Sequence, residues 1–304
     1  MFNIWRQSLC LILVPALLSL ATVKAEPLDA AASDPKTMGW MQGFPPPDGR
    51  IIGYPASDYF SFPKLRWTFC HFREIQATKR VGRGIGPVSP LSGVLDPAID
   101  DVTFMPIGSD EEMSWKASLD ANYTDGMLIL HRGEIVYEYY SGCLDREGRH
   151  GAMSVTKSFV GTIAEILIAE GELDDSKLVS DYVPELKSSA FGNATVRQVM
   201  DMTTGLDYNE NYADPESDIW LYAAAGDPTP KPESYAGPRN FYEFLQGVKP
   251  EGTHGEAFIY KSINTDALAW VIARATGKDF IEHLSERIWK PLGMEQEADM
   301  MIDS

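Results

Sequence analysis

The stretch "MSVTKSF", Met153 to Phe159, sets Ser154 and Lys157 three residues apart at the head of an apolar run. A serine hydroxyl is a poor nucleophile until a base takes its proton. A lysine can be that base where burial and the positive end of a helix favour its neutral form. Residues three apart on a helix share a face, with Cβ atoms about 5–6 Å apart. The spacing alone decides little, because Ser33/Lys36 in "SDPK" and Ser61/Lys64 in "SFPK" share it. Both of those carry Pro before Lys, which disfavours helix at the residue ahead of that Pro. Only "SVTK" opens an amphipathic pattern. The bland alternative is a helix-start serine with an exposed lysine one turn on. A second stretch, "FIYKSINTDALAW", places Tyr260 just before another helix. A tyrosine there could relay a proton between Ser154, Lys157 and a leaving group, or simply tuck under the helix.

The elements that must hold these residues can be read from periodicity. "GMLILHRGEIVYEYYSG" is two β-rich runs about a "HRGE" turn, a hairpin signature. From Ser154, apolar residues recur at Phe159, Val160, Ile163, Ile166 and Leu167, a helix ended by Gly171. "ATVRQVMDMTTG" predicts a short helix with Thr195 as N-cap and Gly205 past its end. "TDALAWVIARATG" predicts a helix closed by Gly277, and "DFIEHLSERIWKPLG" one stopped by Pro291. Residues 26–110 are rich in Pro, Gly, Ser and aromatics, with poor periodicity, and read as an ordered, loop-rich cover over the main domain at 111–304. The order of loops, hairpin and helices points to an α+β lobe pair, not to alternating βαβ units. A lone hairpin is marginal, and no later strand is convincing before Ser304.

Composition narrows the class. The chain has 304 residues, 44% hydrophobic, enough for a real core, and a formal net charge of −18. That balance argues against nucleic acid or an anionic membrane as partner, since both select basic patches. Residues 1–25 read as a signal peptide: Arg6, a short apolar core "LCLILVPALLSLA", then "VKA" before a cut after Ala25. A secreted or periplasmic chain without a membrane span is the expectation. Export would let a disulfide persist. Whether Cys70 and Cys143 meet stays open, the balance falling slightly toward two buried free thiols.

Other chemistries find little support. "VGRGIGP" lacks the strand, helix and spacing of a phosphate loop. No G-x-S-x-G elbow occurs. His71, His131, His150, His254 and His283 show no metal-ligand spacing, and neither cysteine sits in C-x-x-C. No metal and no cofactor are expected. Asn122 and Asn193 lie in glycosylation sequons, of consequence only in a eukaryotic secretory route.

Taken together, "SVTK", Tyr260-Lys261-Ser262, "GELDDSKLVSDYVPEL", "ATVRQVMDMTTGLDY" and "WKPLGM" resemble the serine β-lactamase-like hydrolases over roughly residues 125–295. That group includes class C β-lactamases, D,D-peptidases and related esterases. "MGWMQGFPPPDGRI", "WTFCHFREI", "MTTGLDYNENYADPESDIW" and "YKSINTDAL" are most similar to the 6-aminohexanoate-dimer hydrolases, enzymes of a short linear amide. The resemblance implies a two-lobe fold, an antiparallel sheet plus a helical lobe. It implies a cofactor-free acyl-enzyme mechanism with Ser154 as nucleophile, Lys157 as general base and Tyr260 as proton relay. It further implies that Tyr212 is a lid tyrosine at the substrate amide and that Ser262 fills a substrate-side slot. Ser262 stands where the group's Y-x-N motif has Asn, which weakens any claim to β-lactam turnover. The group's third motif, on a strand after the helical lobe, has no counterpart before "EADMMIDS", so a C-terminally incomplete member is expected. The competing readings are a D,D-peptidase or β-lactamase, and a non-catalytic binding protein. Substrate identity and oligomeric state are open.

Overall fold

The computed structural model describes residues 27–53, 58–227 and 230–303; the proposed signal peptide lies outside them. Mixed helices and small antiparallel sheets make an α+β architecture. In chain order the first elements are α1 (Pro35–Met38), α2 (Leu65–Ile75), β1 (Thr78–Val81), β2 (Thr103–Phe104), β3 (Met113–Ser114) and α3 (Trp115–Ala121). The hairpin follows as β4 (Gly126–His131) and β5 (Glu134–Tyr140). Then come α4 (Val155–Ala169), α5 (Val179–Tyr182), α6 (Val196–Met200), β6 (Leu206–Asp207), α7 (Asp218–Gly226), α8 (Phe241–Gly247), β7 (Lys249–Pro250), α9 (Ile263–Thr276), α10 (Phe280–Leu284) and β8 (Ala298–Met301).

The hairpin forms where the alternation predicts it. Arg132 and Gly133, the two residues between the strands, have φ of 54° and 85°. Positive φ at both central positions matches the twist of the flanking strands, and Gly takes the second at no steric cost. Support for the hairpin comes from upstream. Ile135 N–H donates to Ser92 O, and Val94 and Asp96 donate to Ile135 O and Val136 O, so residues 92–96 line the free edge of β5. The expectation that no later strand exists is also corrected. β8 lies inside "EADMMIDS" and pairs antiparallel with β1, from Thr78↔Met301 to Val81↔Ala298. Neither strand has an alternating pattern long enough to announce itself. Their pairing spans most of the chain.

The helical lobe carries the main core. α4 buries Val160, Ile163, Ala164 and Leu167, one face at helical spacing. α9 buries Ile263, Ala267, Leu268, Trp270, Val271 and Ile272, too wide an arc for a surface helix. It is the central rod, packed against α4, α5, α6, α8 and α10. Gly277 closes it in the left-handed conformation, as predicted. Thr195 and Gln198 make the reciprocal cap of α6. That helix stops at Met200, earlier than expected, because Met202 turns left-handed and Thr203 N–H reaches back to Gln198 O. Gly205 has another job. A Cβ there would stand 2.7 Å from Glu251 O, so only glycine lets β6 approach β7.

The N-terminal segment holds an element its Pro and Gly content hid. α2 buries Arg66, Trp67 and Thr68, and Trp67 joins Trp40 and Ile52 in a small second core. The slight leaning toward free thiols is wrong: Cys70 of α2 and Cys143 form a disulfide, closing a separation of 73 residues. Beside it, Arg66 Nη2 meets Asp125 Oδ1 at 2.7 Å, and His150 Nε2 lies 3.2 Å from Asp125 Oδ2. The His150 ring stacks on Phe69, and Gly151 N–H donates to Phe69 O at 2.7 Å. Three kinds of bond thus tie α2 to the loop that delivers Ser154.

Candidate active site

Ser154 is the N-cap residue of α4, and Lys157 stands one turn in. Lys157 Nζ donates to Ser154 Oγ at 3.1 Å. The helix start explains the contact, since it puts both side chains on one face. The residue before the serine, Met153, has φ of 46°. A left-handed, non-glycine residue stores backbone strain of order 1–3 kcal/mol, and such strain gathers at sites that need a sharp presentation. The α4 N-terminus adds a positive partial charge where a reacting carbonyl oxygen would sit.

Tyr260 lies in the turn before α9, and Lys157 Nζ sits 5.5 Å above its ring centroid. The three residues expected to act together are therefore adjacent. Tyr260 is 42% exposed, consistent with a place on an open surface. Its neighbour Lys261 is buried instead. Lys261 Nζ donates to Leu206 O, and burial pulls its pKa below the ordinary lysine value. Lys261 thus ties the turn before α9 to β6.

Ser262 and Tyr212 meet through a residue that motif reading passed over. Glu210 Oε1 accepts from Tyr212 Oη and from Ser262 Oγ, both at 2.6 Å, and Glu210 Oε2 accepts from Ser262 N–H at 2.7 Å. Tyr212 is 60% exposed and rests edge-on against Trp220, with centroids 6.1 Å apart. Its hydroxyl is pushed up to about 12, by partial burial first and by the Glu210 hydrogen bond next. Glu210, Tyr260 and Lys261 line a common open recess of about 440 Å³ with Tyr208, Asn209, Asn211, Glu251 and Ile259. The only sequence signal for Glu210 was a carboxylate two residues before Tyr212 in "NENYADP".

Asp266 was also missed. It lies one turn into α9 from Ser262, accepts from Tyr222 Oη, and is close enough to feel the charge of Lys157. Burial raises its pKa to about 6, against the lowering effects of Tyr222 and Lys157. The single acid of α9 was the available signal. The histidines take structural places. His254 Nδ1 accepts from Gly205 N–H, and burial lowers its pKa. His283 is enclosed between Thr276 and Arg287. Cys70, Cys143 and His150 bring ligand-type atoms within 4.8 Å of one another, but both sulfurs are spent in the disulfide. Among the described residues no helix is long and apolar enough to cross a membrane.

The family model described as Beta-lactamase matches residues 121–296, more than half of the chain. This chain belongs to the Beta-lactamase family. Within that family, it is 35% identical over 258 residues to 6-aminohexanoate-dimer hydrolase of Paenarthrobacter ureafaciens, covering 84% of this chain and 62% of the relative. A solved structure from Bacillus anthracis, also designated a 6-aminohexanoate-dimer hydrolase, superposes with a TM-score of 0.74 at 33% identity, over 81% of this chain and 64% of that one. A shorter match, 45% identical over 53 residues, joins it to a Beta-lactamase of Providencia stuartii, covering 17% of this chain and 14% of that protein. The chain therefore spans less than two thirds of the length of the Paenarthrobacter ureafaciens relative and of the Bacillus anthracis structure. The Beta-lactamase match takes in the hairpin, α4 and α9, the elements that carry Ser154, Lys157 and Tyr260.

Proposed function

We propose that this chain is a secreted serine hydrolase that cleaves a linear amide or ester through an acyl-enzyme on Ser154. The observation that carries this reading is Lys157 Nζ at 3.1 Å from Ser154 Oγ, at the head of a 15-residue helix. The named activity of its relatives supports an amide as the first substrate class to try. Export rests on the leader-like residues 1–25.

In this mechanism Ser154 Oγ attacks the carbonyl carbon while its proton passes to Lys157 Nζ. The backbone N–H of Ser154, helped by the α4 N-terminus, stabilises the negative charge that forms on the carbonyl oxygen. Tyr260 Oη gives its proton to the leaving amine or alkoxide and is reprotonated from Lys157. The C–N or C–O bond breaks and the acyl group stays on Ser154. A water molecule then attacks, gives a proton back through the same residues, and releases the carboxylic acid.

The test is intact mass after exposure to a fluorophosphonate, on the chain and on Ser154→Ala. A single adduct on the first and none on the second is expected. No adduct on a well-folded chain would overturn the reading and favour a non-catalytic binding protein. Covalent trapping by penicillin on Ser154 would instead move the substrate class toward peptidoglycan-like ligands.

A further inference from the structure

We propose that Cys70, Cys143 and His150, with Asp125, become a zinc site when the disulfide is reduced, so that a metal ion takes over the tie between α2 and the loop before Ser154. The inference goes beyond the hydrolase reading and does not depend on it. Its first ground is distance. One ligand-type atom from each of Cys70, Cys143 and His150 lies within 4.8 Å of the other two. Asp125 Oδ2 adds a fourth donor, 3.2 Å from His150 Nε2 and 4.0 Å from Cys143 Sγ. Ligand atoms around a tetrahedral zinc ion stand about 3.3–3.8 Å from one another. The two cysteine Cα atoms are 5.9 Å apart, so the freed sulfurs can part and still reach one ion between them.

The second ground is the histidine. Both ring nitrogens face acceptors: Nδ1 lies 3.2 Å from Gly151 O, and Nε2 lies 3.2 Å from Asp125 Oδ2. With a proton on Nδ1, Nε2 and the Asp125 carboxylate need a cation between them. A proton fills that place in the oxidised chain, and a metal ion fills it after reduction. A bond from the other ring nitrogen to a backbone carbonyl is also what orients a metal-ligating histidine. Stacking on Phe69 fixes the plane of the ring.

Charge and access suit the same ion. Two thiolates neutralise a dication, and Arg66, 2.7 Å from the other Asp125 oxygen, neutralises the carboxylate. The group therefore carries no net charge, as burial requires. Thiolate and imidazole donors select zinc over magnesium or calcium, which take oxygen ligands. Arg66, Phe69, Asp125 and His150 line an open cavity of about 790 Å³, a route for reductant and ion.

The reductant is a dithiol. It attacks one sulfur of the bridge, forms a mixed disulfide and leaves as its own cyclic disulfide, having given two electrons and two protons to Cys70 and Cys143. Zinc then displaces the two thiol protons and the proton between His150 and Asp125.

The experiment reduces the full chain with dithiothreitol, removes the reagent without oxygen, and titrates with cobalt(II) and then zinc. It is run on the parent and on His150→Gln, which keeps a donor for Asp125 and lacks the ring nitrogen. The reduced parent should take up one cobalt, with the intense visible bands of a tetrahedral site and a thiolate charge-transfer band that zinc abolishes. The oxidised parent should show neither. His150→Gln should bind zinc at least about 10–100-fold more weakly, the range that an outer-shell change alone costs. No tetrahedral spectrum on the reduced parent, the same spectrum on the oxidised parent, or equal affinity in His150→Gln would overturn the proposal. If the reduced parent loses its circular-dichroism signal, zinc should restore it. Failure to restore it, or equal restoration in His150→Gln, also overturns the site. Should His150→Gln itself not fold, Cys143→Ser takes its place: its thiolate band should fall by about half, and an unchanged band counts against the site in the same way.

Discussion

Arg66 Nη2 lies 2.7 Å from Asp125 Oδ1, and the two side chains are 3% and 8% exposed. This buried ion pair joins α2 to the start of the hairpin, with His150 Nε2 3.2 Å from the other Asp125 oxygen. Breaking a buried pair leaves one charge without its partner, which costs about 3–5 kcal/mol. Arg66→Met is expected to lower stability by about that amount in urea denaturation. A loss under about 1 kcal/mol would mean that His150 alone satisfies Asp125.

The Cys70–Cys143 bridge closes a loop with a sequence separation of 73. On the chain-entropy account a cross-link of that size stabilises by about 4 kcal/mol. Cys70→Ser with Cys143→Ser should therefore unfold well below the parent temperature. Because the bridge also anchors the segment leading to Ser154, fluorophosphonate labelling of the folded double variant should slow. Equal labelling rates would detach the bridge from the site.

Tyr260→Phe keeps the ring that lies under Lys157 Nζ and removes only the hydroxyl. If that hydroxyl supplies the leaving group's proton, kcat should fall by about 10²–10⁴-fold with a far smaller change in KM. Turnover equal to the parent would remove Tyr260 from the mechanism.

Burial pushes the Asp266 carboxyl up to about 6 from an ordinary value of 3.8. Between those values the folded chain holds a proton that the unfolded chain has lost. Stability should therefore fall as pH rises through that window. Asp266→Asn keeps an acceptor for Tyr222 and abolishes the titration. The variant is expected to match the parent near pH 4 and to exceed it by about 2–3 kcal/mol at pH 7. Denaturation curves that differ by the same amount at both pH values would refute the assignment.

Local chemistry was legible in the sequence. The pairing of Ser154 with Lys157 needs only a helix start and a three-residue spacing, and both are visible in "MSVTKSF". The hairpin needs alternation and a two-residue turn, and "HRGE" supplies it. The long helix after Ser262 needs an apolar run and a closing glycine. Each of these is decided within a few turns of chain, by sterics and by hydrogen bonds to near neighbours.

Only the tertiary structure decided what meets across long separations. The pairing of β1 with β8, the bridge between Cys70 and Cys143, and the junction of Glu210 with Ser262 each join residues more than 50 positions apart. No periodicity encodes such a meeting, because the partner is chosen by the packing of the whole core around α9. The helix at Leu65–Ile75 escaped notice for a related reason. Its flanks are rich in Pro and Gly, and its buried residues Arg66, Trp67 and Thr68 follow one another in the chain, with Trp67 packed on Trp40 and Ile52. The sequence by itself determined the pairing of Ser154 with Lys157 and the helix that presents them. Tertiary packing decided which carboxylates stand behind them, since a buried acid such as Asp266, or an acceptor such as Glu210, acquires its role only from the groups that the fold brings to its oxygens.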